Sequence, residues 1–240
     1  MPTPRWLLIG NSRWHWAAPG PAGLLVWHGA PASHRPDGLV AWAAVGPVPE
    51  PEAWPTHRRL RLDGVPLEGA PAWLGIDRAL AAWQATVDSG GAPVLVADAG
   101  TVLSLTRLEA GGRFGGGRLL AGLELQLRAM AAGTALLPRP SGVGGAAGVW
   151  PMATEAAMVI GVQRGLAAAV AAAAAEAADP GPWFGADPLH LWVTGGDGPV
   201  LFPLIQDQLA PSSVRLHHDP SLCLRAMARL RPVTQADHLR

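Results

Sequence analysis

The sequence predicts a mixed α/β fold, and three observations carry that prediction. Apolar runs of strand length end at glycine-containing turns near Gly10, Gly100 and Gly195. Segments with apolar residues at helical spacing lie between those turns. A strand–turn–strand pattern occurs twice, near residues 10 and 100, which hints at an internal duplication.

Taken in order, Trp6–Ile9 reads as a buried strand, Gly10-Asn11-Ser12 as a tight turn, and Trp14–Ala17 as the returning arm of a hairpin. Residues 30–72 are rich in Pro and Gly and predict loops and short elements, with Leu39–Val45 among the apolar stretches. Ile76, Leu80, Trp83 and Val87 recur at helical spacing, so Ile76–Val87 is an amphipathic helix. Pro93–Ala97 is the clearest buried strand, and Asp98-Ala99-Gly100-Thr101 turns it into a second, Val102–Leu108. Gly111-Gly112-Arg113 then forms a hairpin turn into Phe114–Leu120. Leu123–Ala132 and the long, Ala-rich Ala153–Ala178 read as helices. Leu189–Val193 is a short strand ending at Thr194-Gly195-Gly196, and Val200–Leu209 is helical.

Composition narrows the function. With 49% hydrophobic and 15% charged residues, the 240-residue chain is globular and long enough for one large domain or two small ones. The 18 cations balance 18 acids, and every cation is Arg because no Lys occurs. A neutral chain without a basic stripe argues against a nucleic-acid partner. One cysteine, Cys223, excludes an internal disulfide and a cysteine-rich metal site. The Trp6–Ile9 run is too short for a signal-peptide core, and Leu166–Ala175, closed by Glu176, falls short of a membrane span. A soluble, cytoplasmic protein without a membrane partner is expected.

The glycine turns suggest a chemistry. Phosphate groups are held by backbone N–H groups, which approach closely only where side chains do not intrude. Gly10-Asn11-Ser12, Asp98-Ala99-Gly100-Thr101 and Thr194-Gly195-Gly196 all offer such donors beside a hydroxyl. Each alone is most simply a turn, but three at the ends of strands form a pattern. A P-loop needs a Gly-Lys pair, which this chain lacks, and no G-x-G-x-x-G opens a helix after a strand.

Six segments in fixed order resemble the type III pantothenate kinases. They are Leu8-Ile9-Gly10-Asn11-Ser12, Gly75-Ile76-Asp77-Arg78, Asp98-Ala99-Gly100-Thr101, the stretch Gly116–Leu123, Thr154–Gly161 and Thr194-Gly195-Gly196. The resemblance implies two related actin-like (ribonuclease H-like) α/β lobes with ATP in the cleft between them. Residues 1–92 would form the N-terminal lobe and 93–240 the C-terminal lobe. It further implies ATP-dependent phosphorylation of pantothenate, a homodimer, a monovalent cation (potassium or ammonium), and Mg2+ arriving with ATP.

Site residues follow from the resemblance position by position. Asp77 is the general base, and Gly75, Ile76, Asp77, Arg78 and Thr154 bind pantothenate, with Arg78 pairing its carboxylate. Gly10, Asn11 and Ser12 wrap the ATP phosphates, Ile9, Arg13 and Thr101 also bind ATP, and Gly195 and Gly196 border the adenosine. Asp98 holds the monovalent cation. Each position also has a plain structural reading. Asp77 suits a helix N-terminus, Arg78 a surface ion pair, Asp98 an Asx turn, and Thr154 a helix N-cap.

The chain departs from the family pattern at the first-turn Asp, which is Leu8, at a Lys, which is His15, and at a Pro, which is Ala121. The Tyr that often precedes the Gly-x-Asp-Arg segment is also absent, since the chain has no Tyr. A Leu removes a hard oxygen ligand, which keeps open a nucleotide-binding regulator of the same fold or a kinase for another small alcohol. His217-His218-Asp219 read as surface residues, and the Trp residues as core and interface packing, with Trp14 and Trp16 on one face of their strand.

Overall fold

The first strand of the computed structural model, β1 (Arg5–Ile9), pairs antiparallel with β2 (Trp14–Gly20), which pairs antiparallel with β3 (Gly23–Gly29). On its other side β1 runs parallel to β4 (Leu39–Ala44), giving the order β3-β2-β1-β4. The structure describes residues 3–32, 36–140, 148–178, 187–209 and 214–234. They divide into two compact units, the first comprising Met1–Gly90, Gly112–Phe114 and Ser221–Arg240, the second Gly91–Gly111 and Gly115–Pro220. Where a single division at 92/93 was expected, the C-terminal helix therefore groups with the first unit.

In unit 1 both faces of the sheet are covered, which is why β1 is apolar at consecutive positions. Trp6, Leu8, Ala17, Ala41 and Ala43 share a core with Leu80 of α1 (Ile76–Asp88) and with Leu224 and Met227 of α5 (Leu222–Leu230). Asp88 of α1 receives Arg225 of α5 at 2.9 Å. The opposite face carries Leu7, Ile9, Trp14, Trp16, Trp42 and Trp54. Trp14 and Trp16 do lie together, with ring centroids 5.9 Å apart. The Trp54 and Trp42 indole N–H groups donate to the carbonyls of Pro49 and Pro55 at 2.7 and 3.0 Å, so these two donors are satisfied on burial.

Unit 2 repeats the plan. β5 (Val94–Ala99) pairs antiparallel with β6 (Val102–Leu108) and parallel with β8 (Leu189–Thr194). With β7 (Phe114–Ala121) and β9 (Val214–His218) the order is β7-β6-β5-β8-β9. The two hairpins read from the sequence thus hold matching central places in two sheets of like topology, as a duplication would leave them. The helices are α2 (Leu123–Gly133), α3 (Thr154–Ala178) and α4 (Gly198–Gln208).

Two expectations are corrected here. The Ala-rich segment was expected to fall short of a membrane span, but α3 is 25 residues long and apolar enough to pass by length and composition. Packing accounts for its character: Met158, Val162, Leu166 and Val170 lie in the unit 2 core with Leu95, Leu105, Leu191 and Ile205. His217 is not a plain surface residue. Its ring stacks on Trp192 at 4.3 Å, and its Nε2 lies 3.1 Å from Nδ1 of His190. His218 points the other way, towards Phe202 of α4.

Candidate active site

In unit 1 the first turn is an exposed backbone loop braced from behind. The Gly10 N–H donates to the Arg13 carbonyl at 3.0 Å, closing the turn, while Asn11, Ser12 and Arg13 are exposed. The Ile9 carbonyl accepts from the N–H groups of Val45 and Gly46 at 2.9 and 3.2 Å. A Cβ on Gly46 would lie 2.2 Å from the Gly10 carbonyl oxygen, and one on Gly10 would lie 2.7 Å from that of Arg13. Only glycine allows these backbones to approach so closely.

Leu8 and His15 are directly opposite on β1 and β2. Leu8 is 8% exposed and belongs to the core against α5. Its position therefore offers no hard ligand for magnesium, and no group of three or more His, Cys, Asp or Glu gathers among the described residues. His15 packs beside the turn, its Nε2 lying 3.3 Å from where a Gly10 Cβ would be, and its ring meets His28 at 5.3 Å. Burial, then the neighbouring His28 and Arg13, push its pKa below the usual histidine value.

The second element of unit 1 is the head of α1. Gly75 takes the N-cap position and Asp77 lies in the first turn. The Arg78 N–H donates to Asp77 Oδ1 at 2.8 Å, which fixes the carboxylate. A Cβ on Gly75 would sit 2.6 Å from Asp77 Oδ1 and 3.3 Å from Arg78 Nε, so both side chains fold back over bare backbone. Burial raises the Asp77 pKa, against the lowering effects of the Arg78 N–H and its positive charge. A carboxylate moved up from its ordinary range is a better proton acceptor near neutral pH. Arg78 lies over the Trp73 ring, 5.8 Å from its centroid. Ile76, by contrast, is buried in the core.

Unit 2 gathers the remaining turns. Asp98, near the end of β5, is opposite Ser104 of β6 and Thr194 of β8. Gly195 has φ +87°, and a Cβ there would fall 2.5 Å from Asp98 Oδ1 and 2.4 Å from the Ala99 carbonyl oxygen. The Asp197 N–H donates to that carbonyl at 2.8 Å, tying the Thr194-Gly195-Gly196 turn to the Asp98–Thr101 turn. Gly122 closes the other flank: its N–H donates to the Thr101 carbonyl at 3.0 Å, and a Cβ would lie 2.0 Å from the Gly100 carbonyl oxygen. Thr101 and Gly196 are exposed at this rim. Thr154 is the exposed first residue of α3, and the cap position falls instead on Ala153, whose carbonyl accepts the Ala157 N–H at 2.9 Å.

Within unit 2, then, Asp98, Thr101, Gly195 and Gly196 converge, while Thr154 stands at the head of α3. Within unit 1 the Gly10 turn ends a strand and Asp77-Arg78 opens a helix. Sequence reasoning missed Gly46, Trp73 and His28. Gly46 had a signal, because it follows an apolar strand in the way Gly195 does.

A family model described as type III pantothenate kinase matches residues 54–176. The type III pantothenate kinase of Synechococcus elongatus is 34% identical, over 96% of this chain and 97% of its own length. Among solved structures, a Baf family protein from Campylobacter jejuni superposes with a TM-score of 0.56 at 18% identity, covering 94% of this chain and 96% of that one. A 2-dehydro-3-deoxygalactonokinase protein from Sinorhizobium meliloti gives 0.51 at 15% identity, covering 97% and 98%. The structural likenesses show the fold, the actin-like architecture shared with sugar kinases.

Proposed function

The chain belongs to the type III pantothenate kinase family, and from that premise we infer that it transfers the γ-phosphoryl group of ATP to the primary hydroxyl of pantothenate, the first step of coenzyme A synthesis. The observation that carries the reading is the Asp77–Arg78 pair at the head of α1, a raised-pKa carboxylate beside a guanidinium.

Asp77 accepts the hydroxyl proton as the oxygen bonds to the γ-phosphorus. The bond to the leaving oxygen breaks, and ADP departs with its electron pair. Phosphoryl transfer passes through a loose transition state, so positioning and charge stabilisation dominate. Arg78 pairs with the pantothenate carboxylate in two-pronged fashion, with Gly75 and Thr154 shaping the rest of the acceptor site and Ile76 anchoring the segment in the core. Gly10, Asn11 and Ser12 hold the phosphates, Ile9, Arg13 and Thr101 complete the ATP-binding set, and Gly195 and Gly196 border the adenosine. Asp98 supplies the carboxylate of a potassium or ammonium site at the meeting of the Asp98–Thr101 and Thr194–Gly196 turns. The lobe expected at 1–92, joined by the C-terminal helix α5, and the lobe formed by the rest of 93–240 act in a cytoplasmic homodimer.

The test is ADP release by the full chain, with and without pantothenate and potassium, and mass measurement of the product. Pantothenate-dependent release with formation of 4'-phosphopantothenate supports the reading. ATP binding without turnover would instead make the chain a nucleotide-binding regulator, and turnover of another small alcohol alone would reassign the acceptor.

A further inference from the structure

Trp73 is 67% exposed, two residues before the Gly75-Ile76-Asp77-Arg78 segment. A singly exposed aromatic is ordinary on a protein surface. Its neighbours here are not. The Arg78 guanidinium lies over the indole face, 5.8 Å from the centroid, and Phe114 meets the ring edge-on at 6.1 Å. The backbone on both sides is tied down: Phe114 N–H donates to the Glu68 carbonyl at 2.8 Å, and Leu74 N–H to that of Pro71 at 2.9 Å. From its other flank Arg78 meets the bare Gly75 backbone.

We propose that Trp73 is a positioning residue for the acceptor, holding the Arg78 guanidinium by its face so that its N–H edge is presented to the pantothenate carboxylate. This rests on the assignment of Arg78 to that carboxylate made above. A guanidinium is planar, and its two binding modes use different parts of it. Its face stacks on an aromatic ring, and its edge makes paired hydrogen bonds to a carboxylate. A carboxylate from the protein would have occupied that edge. Among the described residues none closes a salt bridge with Arg78. An arginine already held over a ring also has less side-chain freedom to lose when the substrate binds.

The experiment compares wild type, Trp73→Ala, Trp73→Phe, Arg78→Ala and the Trp73→Ala/Arg78→Ala double variant. The substrates are pantothenate and pantothenol, in which a hydroxymethyl group replaces the carboxylate. Pantothenol is read as a KM or, where it is not turned over, as an inhibition constant. Trp73→Ala should raise the pantothenate KM roughly three- to tenfold, with kcat and the ATP KM unchanged. Trp73→Phe should restore most of the loss. The penalty should fall below about twofold for pantothenol and in the Arg78→Ala background, since the shared partner is gone. An equal penalty for both substrates, or one that persists without Arg78, overturns the proposal and makes Trp73 an apolar wall of the site. Arg78→Ala raising KM while Trp73→Ala does nothing overturns the role of Trp73 alone. Arg78→Ala without effect on the pantothenate KM overturns the assignment of Arg78 and the proposal with it.

Discussion

Gly46 packs against Gly10 so closely that a Cβ on Gly46 would lie 2.2 Å from the Gly10 carbonyl oxygen. Gly195 stands in the same relation to Ala99 in unit 2, at 2.4 Å. Each contact joins the turn after the sheet's first strand to the loop after its parallel neighbour. Gly46→Ala must therefore displace the Gly10-Asn11-Ser12 turn. The expected result is a loss of about 1–3 kcal/mol in stability and a raised KM for ATP. Gly29→Ala, where nothing lies within 4 Å, is the control and should leave both nearly unchanged. Thermal unfolding and ATP titration of the two variants check this.

Asp77→Asn should abolish most turnover while sparing the fold. A general base contributes ~100- to 10,000-fold in rate, and an amide accepts no proton. Because burial raises the Asp77 pKa, the acid limb of the rate profile should lie above the ordinary 3.8. The stability sign is opposite to that of activity. A raised folded pKa contributes stability that is complete below the unfolded pKa and lost as pH rises through the folded one. At neutral pH the half-buried carboxylate is a liability, so Asp77→Asn should melt no lower than wild type. A loss of activity under about tenfold in a folded variant would place the base elsewhere.

How much of this was legible in the sequence depended on burial. β1, β5 and β8 are apolar at consecutive positions because both faces of each sheet are covered, and they stood out. β3 alternates between exposed and half-buried residues at a sheet edge, so it merged with the Gly- and Pro-rich surroundings. α5 is nine residues long, its N-cap Ser221 makes no side-chain cap, and it is held by Leu222, Leu224 and Met227 in the core. Tertiary burial is invisible to local propensity. In the site, Asp77 and Asp98 sit in motifs with fixed spacing and were readable. Gly46 acts through a backbone contact 36 positions from Gly10, and Trp73 through a guanidinium lying over its ring. Neither contact is written in a motif.

Asp98 should make activity depend on potassium or ammonium. Its Oδ1 lies 2.5 Å from where a Gly195 Cβ would stand, at the meeting of the two unit 2 turns. Removing its charge takes away the ligand that most favours a cation over water, so Asp98→Asn should raise the potassium needed for half-maximal rate by roughly tenfold. Initial rates against potassium, at constant ionic strength made up with sodium, measure this. Full wild-type activity in sodium alone would remove the cation site.

Leu8→Asp tests whether the missing first-turn carboxylate can be restored. Leu8 is 8% exposed, in the core with Leu224 and Met227. Removing its packing costs about 2–5 kcal/mol, and a buried carboxylate adds a desolvation cost. The variant should therefore be clearly less stable. Its loss should also depend on pH, because residue 8 faces His15 across the strand pair. Burial, His28 and Arg13 lower the wild-type His15 pKa, which keeps the ring neutral. A carboxylate opposite it raises that pKa, and a raised histidine pKa gives stability that is present at low pH and lost as pH rises through the folded value. The melting deficit of Leu8→Asp should thus be smaller at pH 6 than at pH 8, and adding His15→Ala should reduce the difference to what the desolvated carboxylate alone contributes. If magnesium reaches this enzyme as MgATP, wild type turns over without the carboxylate, and titrating magnesium against both proteins changes the requirement but not the reaction. Wild type inert with pantothenate while Leu8→Asp gains turnover would mean that the natural chain has given up catalysis and kept nucleotide binding.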